Sequence, residues 1–162
     1  MRVGEGAPGR DPAFRGDRSG VIVNFYHLAQ SPLERVLPTV CGGLLGQGER
    51  VVVVADETLL ARLDEQLWTF DKESFLPHGR GNAQSQPILL STEPAAANGA
   101  KAIALADGVW REEALEFERA YYFFDGSSLD TARGAWRALR GRDGIESRYW
   151  KQDERGKWVQ GP

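Results

Sequence analysis

Hydrophobic and polar positions change period along the chain, and each change marks an element. Val21-Ile22-Val23-Asn24-Phe25-Tyr26 is β-branched and aromatic and predicts a strand. Ser31-Pro32-Leu33-Glu34 then reads as a capping box, with the serine as N-cap, proline at the first helical position and glutamate at the third. Leu33, Val36, Leu37, Val40 and Leu44 follow at helical spacing, with Gly46 or Gly48 placed to end the helix. Pro38 predicts a kink, or the close of a short first turn. Arg50 to Ala55 is four valines between flanking residues, the unbroken apolar run of a strand buried on both faces of a parallel sheet. Asp56 caps a second helix whose Leu59, Leu60, Leu63 and Leu67 share one face.

Strand, helix, strand and helix at these spacings predict a βαβ unit and an α/β fold with a mostly parallel central sheet. Beyond it the pattern loosens. Pro87–Ser91 and Ala102–Ala106 read as short strands separated by the turn-forming Asn98-Gly99, and Phe117–Phe124 as a further central strand. Ser127 or Ser128 caps a last long helix to about Arg140, and a hairpin around Asp153–Gly156 closes the chain. Residues 1–19, rich in Gly and Arg with Pro8 and Pro12, show no period and predict a flexible arm; residues 20–162 form one domain.

Composition narrows the function. With 41% hydrophobic and 27% charged residues, the chain has the makeup of a globular domain and not of a disordered one. No apolar run is long enough for a membrane span, and the first twenty residues lack a signal peptide's apolar core, so the expected location is the cytoplasm. One cysteine, Cys41, excludes an internal disulfide, and with His27 and His78 beside it offers too few ligands for a structural metal site. Charge is uneven. Residues 21–132 carry eight basic and sixteen acidic side chains, whereas residues 133–162 carry eight basic and four acidic. That split argues against a broad nucleic-acid-coating surface and for a local basic patch facing an acidic partner.

Catalytic and cofactor constellations are not legible. Between Tyr26 and Ser31 there is no glycine, and Gly42, Gly43, Gly46 and Gly48 lie at the wrong end of the first helix to cradle a phosphate. Ser127 and Ser128 read as helix caps, Cys41 as a core thiol and His78 as a hydrogen-bonded loop residue. The reading is a non-enzyme without cofactor or metal; a Rossmann-like enzyme acting on a nucleotide or phosphate ester is the alternative, and direct binding of single-stranded nucleic acid a third reading, disfavoured by an acidic protein.

The last helix carries the clearest chemistry. Leu129, Ala132, Trp136 and Leu139 form one stripe, and Arg133, Arg137 and Arg140 form the next, at i, i+4 and i+7. Trp136 stands on the seam. An aromatic wall beside a row of guanidinium groups suits an acidic peptide ending in an apolar side chain or a carboxylate. The spacing equally describes an amphipathic helix with a solvated basic edge and a core tryptophan.

Several segments in order resemble one family. They are Val23-Asn24-Phe25-Tyr26-His27-Leu28, Leu63-Asp64-Glu65-Gln66-Leu67-Trp68, Phe75-Leu76-Pro77-His78-Gly79, Pro87-Ile88-Leu89-Leu90-Ser91, Phe124-Asp125-Gly126, Ala132-Arg133-Gly134-Ala135-Trp136-Arg137, Tyr149-Trp150-Lys151-Gln152-Asp153 and Gly156-Lys157-Trp158. Together they resemble the chi subunit of bacterial DNA polymerase III, with Leu-Trp followed by Phe-x-Pro-His-Gly the most specific part. The resemblance implies a Rossmann-like three-layer domain without catalytic activity. It implies a protein that binds the acidic C-terminal tail of the single-stranded-DNA-binding protein and, through a small psi subunit, connects it to the clamp loader. The family's tail-binding residues match Trp68, Phe75, Arg133, Trp136 and Arg137, while Arg140 is added from helical spacing as a rim contact. No direct contact with nucleic acid or membrane is expected.

Overall fold

Seven strands run parallel and an eighth turns back antiparallel at one edge of a single sheet in the computed structural model, which describes residues 20–69 and 77–161. The predicted arm at 1–19 lies outside the described residues. The strands are β1 (Val21–His27), β2 (Val51–Val54), β3 (His78–Gly79), β4 (Ile88–Ser91), β5 (Ala102–Leu105), β6 (Arg119–Phe124), β7 (Ile145–Gln152) and β8 (Trp158–Gln160). Their spatial order is β3-β4-β2-β5-β6-β1-β7-β8. The three-layer α/β architecture read from the sequence is what the chain adopts, including the closing β7–β8 hairpin.

Alternation along the strands sorts side chains to the two faces. On one, Tyr26, Val51, Val53, Tyr121 and Phe123 meet the helices α1 (Leu33–Gly46) and α2 (Glu57–Thr69) through Val36, Leu37, Val40, Leu44, Leu60, Leu63 and Leu67. On the other, Val23, Phe25, Val52, Tyr122 and Phe124 meet α3 (Leu129–Leu139) through Ala132, Ala135 and Leu139. Cys41 is wholly buried on the α1 side, where burial pushes its thiol up to about 12, so it packs as an inert apolar group.

Two helix starts differ from the sequence expectation. α1 is entered at Pro32, with no side-chain cap. Ser31 is engaged elsewhere: its N–H donates to Gln152 Oε1 (3.1 Å) and its hydroxyl accepts from Gln152 Nε2 (3.0 Å), tying the loop to β7. Glu34, freed from the capping box, pairs with Arg62 of α2. The α1 helix continues through Pro38, and Gly48 (φ +81°) closes it. There the Gly48 N–H donates to Leu45 O and the Glu49 N–H to Leu44 O, the paired bonds of a glycine-stopped helix. Asp56 does cap α2, its carboxylate accepting the Leu59 N–H at 2.8 Å. Before α3 the capping carboxylate is Asp125 and not a serine: it accepts from Ser127 N–H at 2.9 Å, while Ser128 Oγ accepts the Asp125 N–H at 3.1 Å. A 3-10 turn over Gly126–Ser128 then leads into the helix.

Candidate functional site

Strand alternation fixes the floor of the site. Phe25 and His27 of β1 lie two apart and so share the α3 face, and Phe124 ends the neighbouring β6 in register with His27. Tyr149 comes from β7, on the other side of β1, opposite Phe25. The four rings form a continuous surface: His27 lies over Phe124 at 5.1 Å between centroids and 14° between planes, and Phe124 is stacked with Tyr149 at 6.3 Å. The Tyr149 hydroxyl bonds His27 Nδ1 at 2.9 Å.

Helix α3 supplies the opposite wall. Trp136 meets Phe25 edge-on at 5.1 Å and Tyr149 at 6.1 Å. Between helix and rings lies a groove of about 360 Å³, lined by Phe25, His27, Phe124, Leu129, Ala132, Arg133, Trp136, Arg137 and Tyr149. A second groove of about 340 Å³ adjoins it, sharing Trp136 and Tyr149 and continuing along Leu139, Arg140, Ile145, Ser147, Gln160 and Gly161. Arg133, Arg137 and Arg140 are exposed and make no ion pair with another described residue. The floor is therefore apolar and aromatic and the rim cationic.

The electrostatics suit an anionic ligand. His27 is held below its ordinary pKa chiefly by burial; Asp125 opposes this, and Arg133 and Lys151 add to it. At neutral pH the ring is a neutral hydrogen-bonding group on the groove floor. Burial raises the Tyr149 phenol, which stays protonated.

Of the six residues singled out in the sequence, the structure brings Arg133, Trp136 and Arg137 to one groove and Arg140 to its neighbour. Trp68 is in the last turn of α2, whose buried leucines pack on the opposite face of the sheet; its side chain, and Phe75 altogether, lie outside the described residues. His78, read as a loop histidine, is in the two-residue β3 and is buried, with Nε2 2.9 Å from Asp64 Oδ1, joining that strand to α2. Sequence reasoning passed over Phe25, His27, Phe124 and Tyr149. The alternation of β1 puts Phe25 and His27 on one side, but only the sheet order shows that this side faces α3.

A larger cavity, about 530 Å³, lies over the carboxyl ends of β1, β2, β5 and β6, where open α/β sheets commonly hold ligands. Its charged lining is dominated by Glu34, Asp56, Asp107 and Asp125 against Arg62, already paired with Glu34. Among the described residues an anionic nucleotide finds no cationic cradle there. Among the described residues no cluster of three metal-ligating side chains occurs, and no helix is long and apolar enough to cross a membrane.

A search of curated proteins gives no match. The family model for the DNA polymerase III chi subunit, HolC, matches residues 22–146, from β1 through α3 to the start of β7. This stretch is most of the chain and holds α1, α2 and α3 with the sheet's parallel core, so the protein belongs to the DNA polymerase III chi subunit family.

Proposed function

We propose that this protein is a non-catalytic accessory subunit of the replicative polymerase that docks the acidic C-terminal tail of the single-stranded-DNA-binding protein in the α3 groove, linking it to the clamp loader in the cytoplasm. The observation that carries the reading is the meeting of Arg133, Trp136 and Arg137 over an aromatic floor, with guanidinium groups unpaired among the described residues. An arginine takes a carboxylate with two parallel N–H···O bonds, and the Phe25, Phe124 and Trp136 surfaces desolvate an apolar side chain beside it. Arg140 extends the cationic rim past the first groove. A psi subunit belongs to the same reading as the bridge to the clamp loader. Trp68 and Phe75 stand in this reading as the further tail contacts that the family resemblance implies; α2, which carries Trp68, packs on the other face of the sheet from α3.

A short unstructured tail must be ordered on binding, so the expected affinity is about micromolar. Exposed charge pairs are screened, and binding should weaken as salt rises. Several tails on one oligomeric partner would raise the apparent affinity by avidity. The test is fluorescence anisotropy with a labelled acidic tail peptide on wild type and Arg133→Ala. Saturable wild-type binding lost in a folded Arg133→Ala protein supports role and site together; binding untouched by the substitution moves the site, and absence of binding at low salt overturns the role.

A further inference from the structure

Among the described residues, none covers part of the β7 edge beside the second groove. β1 pairs with β7 from Ile145 to Trp150, but β8 covers its other side only from Trp150 to Gln152. The Gly161 N–H adds one further bond, to Tyr149 O at 2.7 Å. Main-chain polar groups alternate sides along a strand, so the N–H and C=O of Ser147 point to the same side as the Tyr149 carbonyl. There, past the end of β8, no described segment pairs with them. The Ser147 side chain lies on the groove side of the strand, and its hydroxyl, shielded from water, has no hydrogen-bond partner among the described residues. Proteins seldom leave such groups unmatched.

We propose that an acidic peptide is held here as an added strand, in line with β8 and hydrogen-bonded to the main chain of Ser147. Its alternate side chains would enter the groove between α3 and β7. This rests on the reading that the α3 grooves receive an acidic tail, and adds how its backbone is recognised. Strand addition gives affinity through the main chain and specificity through pockets for every second side chain. The second groove, lined by Ile145, Ser147, Gln160 and Gly161 beside that edge, provides such a pocket, and it adjoins the first through Trp136 and Tyr149. Charge selects the occupant. Arg137 and Arg140 flank the path, and residues 1–19 carry four basic and three acidic side chains, a poor complement to that rim. A second copy of the chain would set two such arginine rows against each other.

The test uses the full chain and the labelled acidic peptide of the previous subsection, with three readouts. Peptides N-methylated at single positions are compared by anisotropy; Ser147→Pro is compared with Ser147→Ala; and amide exchange at Ser147 is followed by NMR with and without unmodified peptide. Proline at 147 removes an N–H that faces the open edge and spares those facing β1. Strand addition predicts a loss of about ten-fold or more at the one N-methylated position whose N–H faces the Ser147 carbonyl, with its neighbours spared, and in Ser147→Pro. It also predicts slowed Ser147 exchange, with Glu146 and Arg148 unchanged. If wild type binds but neither methylation nor Ser147 exchange shows this pattern, strand addition is overturned and the groove reading survives. If wild type does not bind, both fall. A Ser147 amide already slow in the free protein would show the edge covered by the chain itself and would also overturn the proposal. Should Ser147→Pro not fold, the peptide series and the exchange measurement decide.

Discussion

The Tyr149 hydroxyl sits 2.9 Å from Nδ1 of His27, joining β7 to β1 across the floor of the α3 groove. The bond fixes two rings that are also stacked, at 6.2 Å between centroids, and Tyr149 is a wall of both grooves. Tyr149→Phe keeps the ring and removes the bond, so it should lower folding stability by about 1 kcal/mol in urea unfolding while leaving peptide affinity within about three-fold. Tyr149→Ala removes the wall itself and should weaken the peptide by about ten-fold or more. Equal affinities for the two variants would show that the ring is not a contact.

His27 also makes stability depend on pH. Its folded pKa is lowered by burial, against the pull of Asp125 and with Arg133 and Lys151 adding to the shift. The unfolded chain, with an ordinary histidine pKa near 6.5, therefore binds more protons than the folded one as pH falls through that value. Stability is full above about pH 7 and declines as pH drops below about 6.5. Carboxylates titrate below about pH 5 when unfolded and do not confuse the interval. Urea unfolding from pH 7.5 to 5.5 should show this decline in wild type and a shallower one in His27→Gln. Identical slopes would remove His27 from the explanation.

How far the sequence could carry these conclusions depended on whether the relevant contact was local. The valine run of β2, the leucines of α2 and the Arg-Trp stripes of α3 all report on their own element, and each was legible. The Ser31 cap failed because Gln152, far along the chain, competes for the same hydroxyl. Asp125 was missed as the α3 cap because a 3-10 turn separates it from the helix proper. The groove floor was invisible for a topological reason: Phe25, Phe124 and Tyr149 come from three strands whose adjacency is not encoded in spacing.

Gly134 offers a test of α3 that leaves the groove chemistry alone. It lies inside the helix, and a Cβ built there meets nothing within 4 Å. Glycine in a helix interior costs roughly 0.5–1 kcal/mol relative to alanine through its greater freedom when unfolded. Gly134→Ala should stabilise the protein by about that amount and raise the midpoint of thermal unfolding. A destabilised Gly134→Ala variant would overturn the reading of position 134 as open space on a helix interior.

Trp68 decides whether partners are met on one surface or two. α2 packs beside β3 and β4, while α3 packs beside β7, on the other face. From β4 to β7 is five strand positions, on the order of 24 Å at the usual inter-strand spacing, before the thickness of the sheet is added. An extended peptide covers about 3.3 Å per residue, so a short tail seated against Arg133 runs out before reaching α2. Trp68→Ala should therefore leave the affinity for a short acidic peptide within about two-fold, whereas Arg133→Ala should remove most of it. Circular dichroism on each variant separates a lost contact from a lost fold. If folded Trp68→Ala loses the peptide as Arg133→Ala does, the tail reaches both faces, and confinement to the α3 groove is wrong.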